Sequence, residues 1–417
     1  MQERSAFRGR LDHFLHPSKH IESPEQLYGR ESALLEMLDA FETPGTHPFI
    51  WGVRGIGKTS LAHTACYHYG RQVEFAAAIS CSRDLPFRNM IDDLVADALE
   101  RKKSFYKDKK LRASLSAFGI TLSTEIEGMQ SDSSTLSVNQ AANLLDNFFS
   151  LDRYSAKIPV IIVDEFDRLE ATDTLQAISD LLKQLSVINA SVKICFCGIT
   201  EDLGYLLSSH QSVERYIFGV ELRPISFDSI WKLIRRIGAE FDVEFDRGQE
   251  VRISQIAAGY PHFAHLIMKN TLLGMFEAQE EGQIVSNDDF KEGLNRSAKQ
   301  AATSLKTAYE SAIRKGTDRY IEVLFAVANS EHMNRQFKEV LSDYEKIMKT
   351  RKHREGYDTA KNNGQDLRNA LNNLASRGTL RKGKTGWYQF SDPMLRSYVR
   401  LIAETEGIQL SDEAFGA

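Results

Sequence analysis

Three glycines, a lysine and a hydroxyl residue stand at fixed spacing in Gly52-Val53-Arg54-Gly55-Ile56-Gly57-Lys58-Thr59, the pattern G-x-x-x-x-G-K-[ST]. The chemistry such a stretch suits is the binding of phosphate. Glycines at 52, 55 and 57 let backbone N–H groups approach anionic oxygens with no Cβ in the way. A helix beginning near Lys58 adds its N-terminal partial charge. Lys58 is expected at the β- and γ-phosphates and Thr59 on a Mg²⁺ ion. Val53, Arg54, Ile56 and Ser60 complete the loop that would wrap the ligand.

Farther along, Ile158-Pro159-Val160-Ile161-Ile162-Val163 is an apolar, largely β-branched run ending in Asp164-Glu165. Such a run is a strand buried on both faces of a parallel sheet. Open α/β sheets bind their ligands at the carboxyl ends of the strands, so Asp164 is expected in the Mg²⁺ shell and Glu165 beside an attacking water. A strand ending in Asp-Glu is common by itself; following a phosphate loop, it points to nucleotide hydrolysis. A third buried strand over 192–199 leads to Thr200, which is placed to sense a γ-phosphate, with Glu201 second and simple strand capping as the plainer alternative. Arg215, beyond that strand, suits a guanidinium that reaches a nucleotide held by a neighbouring subunit, unless it is surface decoration.

Several elements must position these residues. Phe49-Ile50-Trp51 supplies the strand before the loop, and a helix follows it. Leu27-Tyr28-Gly29-Arg30-Glu31 leads into an amphipathic helix over 32–41. Tyr28 is expected against the base, although helix packing alone also explains the segment. A strand over 73–80, a helix over 86–102, a helix capped by Ser137 and a helix over 174–185 fill out the core. Residues 103–136, with a lysine-rich run and then a Ser-rich one, read as a hairpin-like or irregular insertion, and residues 1 to about 26 as a poorly packed arm or short helix. From about 226 the pattern turns helical, over 229–241, 251–258 and 265–276. Gly259-Tyr260-Pro261-His262 opens the last of these with proline at a helix start. That unit, to about 296, is expected as a lid over the nucleotide, touching it at Pro261. His262 and His265 either sense phosphate there or are structural.

The C-terminal part has helices over 318–327, 337–348 and 365–377, then a hairpin of 379–381 and 387–390 around Lys382-Gly383-Lys384-Thr385-Gly386. Three helices and a basic hairpin form a winged-helix pattern, related to the helix-turn-helix. Between Thr350 and Gly386 there are nine Lys/Arg against three Asp/Glu. Arg368, Arg377, Arg381, Lys382 and Lys384 are thus expected on duplex DNA phosphates; the alternative is a protein-binding winged helix whose lysines are merely solvated.

At 417 residues the chain exceeds one ordinary core. The expected division is 1–226 as the nucleotide core with its N-terminal arm, 227–296 as the lid and 297–417 as the winged helix. With 42% hydrophobic and 26% charged residues it is a globular composition, not a disordered one. A net charge of −5 excludes a uniformly basic coat but not a local basic face. No stretch has the length and apolarity of a membrane span, and the N-terminus lacks a signal-peptide core, so a cytoplasmic protein is expected. Cys66, Cys81, Cys195 and Cys197 lack zinc spacing and read as buried reduced thiols.

Together, Gly52–Thr59, 158–165, the Thr200 strand end, Arg215, the helical lid and the winged helix make the chain resemble an AAA+ ATPase of the origin-recognition, replication-initiator-like branch. The resemblance covers nearly the whole chain. It implies an α/β fold with a parallel P-loop sheet flanked by helices, a helical lid and a C-terminal winged helix. It also implies ATP and Mg²⁺, and assembly into a homo-oligomeric ring or filament. Lys58 and Thr59 match the Walker A residues, Asp164 and Glu165 the Walker B pair, and Arg215 the arginine-finger region. Ser391-Asp392-Pro393-Met394-Leu395-Arg396 resembles the segment that closes the winged helix in many archaeal and bacterial ATPases of this type. Two positions depart from the family, which often has Asn where Thr200 or Glu201 stands and Arg where the lid turn offers His262. The phosphate loop with its Gly-Tyr-Pro lid turn is also similar to the signalling NTPases with numerous domains, which implies an ATP-dependent switch that binds an effector protein. The settings the first resemblance implies are replication, transposition and antiviral or other anti-mobile-element defence.

Overall fold

The computed structural model describes residues 2–15, 27–69, 77–101, 136–150, 158–199, 204, 213–278, 283–314, 319–351 and 364–410. The chain forms two compact units, one of 20–53 with 57–223, the other of 1–19 and 54–56 with 224–417.

The first unit is built on a five-stranded parallel sheet. Its strands are β1 (His47–Trp51), β2 (Ala77–Ser80), β3 (Val160–Asp164), β4 (Lys193–Gly198) and β5 (Ile217–Glu221), in the spatial order β2-β3-β4-β1-β5. Strands β3 and β4 are apolar runs buried on both faces because α2 (Glu31–Glu42), α3 (Lys58–Tyr69), α4 (Phe87–Arg101), α5 (Val138–Ser150) and α6 (Thr172–Val187) cover the sheet. Phe49, Phe166 and Phe196 meet edge-to-face or stacked, 5.3 to 6.0 Å apart, below the ligand edge. As expected, Ser137 caps α5, accepting from the Gln140 N–H at 3.3 Å while its own N–H donates to the Gln140 side chain at 2.9 Å. The expected second strand begins at 73, but residues 70–76 lie outside the described residues, as does the insertion over 103–135.

In the second unit, α1 (Gln2–Phe14) packs on the lid rather than standing off as an arm. Phe7 stacks on Phe276 at 4.2 Å and meets Phe241 edge-on at 5.7 Å, Phe14 meets Phe241 at 6.0 Å, and Leu11 and Leu15 are buried. The lid comprises α7 (Phe227–Glu240), α8 (Arg247–Ala257), α9 (Pro261–Ala278) and α10 (Asn287–Gln300). Gly259, at φ +84°, makes the turn between α8 and α9, and Pro261 takes the first helical position. Then come α11 (Thr303–Ile313), α12 (Arg319–Ala328), β6 (Arg335–Gln336), α13 (Phe337–Thr350), α14 (Gly364–Ser376), β7 (Leu380–Lys382), β8 (Trp387–Phe390) and α15 (Pro393–Thr405). Strands β6, β8 and β7 form an antiparallel sheet in that order, and the two-residue β6 carried no sequence signal.

Lid helices and C-terminal segment fall in one compact unit, where α15 packs against both. The Ser397 hydroxyl donates to the Ala257 carbonyl at 3.3 Å. The buried Arg400 guanidinium donates to the carbonyls of Gln255, Ala328 (2.8 Å) and Ser330. Arg252 pairs with Glu404.

Candidate nucleotide site

Since β1 and β3 run parallel, the loop after Trp51 and the acids after Val163 emerge at one edge of the sheet. The loop has glycines at φ +77° (Gly55) and +101° (Gly57), conformations a side chain would resist, and a Cβ at Gly57 would meet nothing within 4 Å. Ile56 is buried, while Val53, Arg54 and Gly55 are exposed. Helix α3 starts at Lys58. Its Nζ donates to the loop carbonyls of Gly52 (2.9 Å) and Val53 (3.3 Å).

The two residues expected on Mg²⁺ are in contact. Thr59 Oγ1 donates to Asp164 Oδ2 at 2.7 Å across 105 residues of sequence. A hydroxyl and a carboxylate side by side are hard oxygen donors, the set Mg²⁺ prefers. The glycine cradle and the N-terminus of α3 suit the phosphates of a nucleotide. Thr59 and Asp164 would hold the metal and the loop backbone with Lys58 the phosphates; the metal, when bound, supplies charge neutralisation there.

Glu165 sits directly after Asp164 in a left-handed conformation at φ 51°, ψ 37°, a strain of about 1 kcal/mol for a non-glycine residue. Its N–H donates to Asp164 Oδ1 at 2.8 Å, which fixes the turn. Its carboxylate pairs with Arg168 at 2.8 Å in the following 3-10 turn. Arg168 is a residue that sequence reasoning missed. The i,i+3 spacing Glu-x-x-Arg was its signal.

Residues 26–194 match the AAA ATPase domain family. Over that span the chain is similar to AAA ATPase domains. No curated protein matches the sequence. Among solved structures, the Walker-type ATPase paby2304 of Pyrococcus abyssi superposes with a TM-score of 0.54 at 16% identity, over 92% of this chain and 99% of that one. Cdc6p from Pyrobaculum aerophilum gives 0.44 at 14%, over 93% and 96%. Aeropyrum pernix ORC1, solved in complex with DNA, gives 0.40 at 14%, over 92% and 95%.

The other expected residues take different places. Arg215 is exposed on a 3-10 turn just before β5. Strand β5 pairs with β1 from His47↔Ile217 to Trp51↔Glu221, so Arg215 stands at the sheet edge opposite the phosphate loop. Five residues of strand put roughly 17 Å between those edges. Thr200 and Glu201 lie outside the described residues. Tyr28 is half-buried in the turn before α2, next to the buried Arg30, whose guanidinium donates to the Arg223 carbonyl and whose pKa burial lowers to about 10. Pro261 and His262 are half-buried in the second unit, and His265 is buried there.

Behind the site, Lys193 was also missed. Its buried ammonium donates to the carbonyls of Ala40 (2.9 Å), Thr43 and Thr46 (2.9 Å), and so closes the turn between α2 and β1. Burial lowers its pKa to about 8, leaving it charged at neutral pH. Beside it, burial and then the Lys193 charge push His47 down to about 3, and its Nδ1 accepts the Ile194 N–H at 3.1 Å. All four cysteines are buried thiols outside any disulfide, as expected. Burial raises Cys66, and a hydrogen bond with Cys195, followed by burial, raises Cys197. Among the described residues no cluster of three metal-ligating side chains occurs and no helix is long and apolar enough to cross a membrane.

Proposed function

We propose that this protein is an AAA+ ATPase that binds ATP with Mg²⁺, hydrolyses it between subunits of a homo-oligomer and couples that cycle to duplex DNA. The observation that carries the reading is the 2.7 Å contact between Thr59 and Asp164, with Glu165 next in the chain. Chemistry on a γ-phosphoryl group is mostly positioning and charge neutralisation. Lys58 supplies positive charge, Thr59 and Asp164 would hold the Mg²⁺ that supplies the rest, and Glu165 orients water once its carboxylate leaves Arg168. Arg215 faces away from its own phosphate loop, which supports a role on a neighbour's nucleotide. The fold of a Walker-type ATPase, shared at 16% identity, agrees with this.

DNA binding falls to the C-terminal helices and hairpin, read as a winged helix with α14 as its recognition helix. Exposed Arg381, Lys382 and Lys384 on the hairpin, with Arg368 and Arg377 on and after α14, support it. Arg351 is withdrawn from the expected basic patch, because it pairs with the buried Glu322 at 3.0 Å and with Glu406. ATP turnover measured with and without duplex DNA tests the reading. Stimulation that disappears when Arg381, Lys382 and Lys384 all become Ala supports it, and the salt slope of binding should fall by about 2 to 3. Turnover and binding indifferent to DNA would end it.

A second reading is a slow ATP-gated switch whose winged helix binds an effector protein. The Glu165–Arg168 pair favours it, since a water-activating carboxylate paired with a cation is partly diverted from water and turnover slows.

A further inference from the structure

Resting on the DNA reading above, we propose that α14 reads adenine in the major groove through the amides of Gln365 and Asn369. The wing would hold the backbone without regard to sequence. Charge is distributed unevenly around this helix. Its two charged side chains, both exposed, are each engaged within the unit: Asp366 pairs with Arg319 at 3.7 Å, and Arg368 lies over the Phe337 ring at 4.0 Å. The exposed row left between them is Gln365, Asn369, Asn373 and Ser376, which contains no cation; Asn373 Nδ2 donates to the Tyr320 hydroxyl at 3.1 Å, so Gln365 and Asn369 are the amides that face outward. The cations flank it, in Arg377 just after the helix and in the hairpin, where Lys382 reaches across to the Asn372 side-chain oxygen at 2.9 Å. A cationic rim around an uncharged amide row matches duplex DNA, whose charge lies on the backbone and whose donor and acceptor pattern lies inside the groove.

Within the row, Gln365 Nε2 donates to Asn369 Oδ1 at 3.2 Å, so two exposed side chains at i,i+4 are interlocked. That bond leaves the pair a carbonyl on Gln365 and an NH₂ on Asn369 to offer a ligand. Adenine presents an acceptor at N7 and a donor at N6, the complement of such a pair. Guanine presents two acceptors and is met best by Arg or Lys, which the row lacks.

The test uses the full chain with ATP, and binding to fluorescent duplexes of equal length, one made only of G·C pairs and the others drawn from a randomised pool by selection. Enrichment of adenine at a fixed position, with roughly ten-fold tighter binding than to the G·C duplex, is expected. Asn369→Ala and Gln365→Ala should abolish that preference and leave binding to the G·C duplex unchanged. Asn369→Arg should move the preference to guanine. Equal binding to all duplexes, or a preference that survives these substitutions, overturns this inference alone; survival would assign the preference to hairpin cations in a narrow minor groove. No binding to any duplex overturns both this inference and the DNA reading beneath it. ATP binding, measured on the same variants, should not change.

Discussion

Replacing Glu165 by Gln keeps the shape of the turn after β3 and removes the base. ATP binding should persist while kcat falls about 10²- to 10⁴-fold, measured by phosphate release beside equilibrium binding of labelled ATP. Arg168→Ala should leave ATP affinity alone and raise kcat up to about five-fold, because an exposed ion pair holds its carboxylate by at most about 1 kcal/mol. An unchanged kcat would remove Arg168 from any controlling role. Residues whose type is dictated by the ligand were legible in the sequence. Glycine at 57, lysine at 58 and a carboxylate after an apolar strand each have few substitutes. Arg168 and Lys193 were not legible because their importance lies in what folding brings to them, namely a carboxylate turned by a left-handed backbone and three carbonyls at the end of α2.

At the level of elements, apolar periodicity marked most helices and strands to within a few residues. It gave no range for α11 or α15, and it failed where elements are short or where a pattern needs a distant partner. Strand β6 has only two residues, and the Phe7, Leu11, Phe14 face of α1 acquires meaning only against Phe241 and Phe276. Two predictions concern how elements are joined. Lys193→Met should cost about 3 kcal/mol in urea unfolding, since buried carbonyls lose their donor. His47, neutral in the fold and ordinarily near 6.5, is depressed to about 3. Its contribution is therefore complete above pH 6.5 and is lost as pH falls toward 3, because the unfolded chain takes up the proton first. His47→Gln should flatten that acid limb, read from urea midpoints across pH. In the lid, Gly293 of α10 lies so close to α9 that a Cβ would come 2.9 Å from the Thr271 backbone and 2.0 Å from its hydroxyl. Gly293→Ala should destabilise the second unit by about 1 to 3 kcal/mol, seen as a lower melting temperature.

For the molecule as a whole, the opposed positions of Arg215 and the phosphate loop predict that no protomer completes its own site. Arg215→Ala should bind ATP normally and hydrolyse it poorly. Mixed with the Glu165→Gln protein, it should recover part of the activity, because a site that keeps its own Glu165 then receives the guanidinium of the other chain. Rates that do not rise on mixing would return Arg215 to the surface. The packing of α1 has a practical side as well. Thirteen residues at the start of the chain complete a hydrophobic face on helices more than two hundred positions later, with Phe7 and Phe14 shielding Phe241. A fragment cut to contain only 224–410 would present bare aromatic rings to water and self-associate. Supplying residues 2–15 as a separate peptide should restore its solubility.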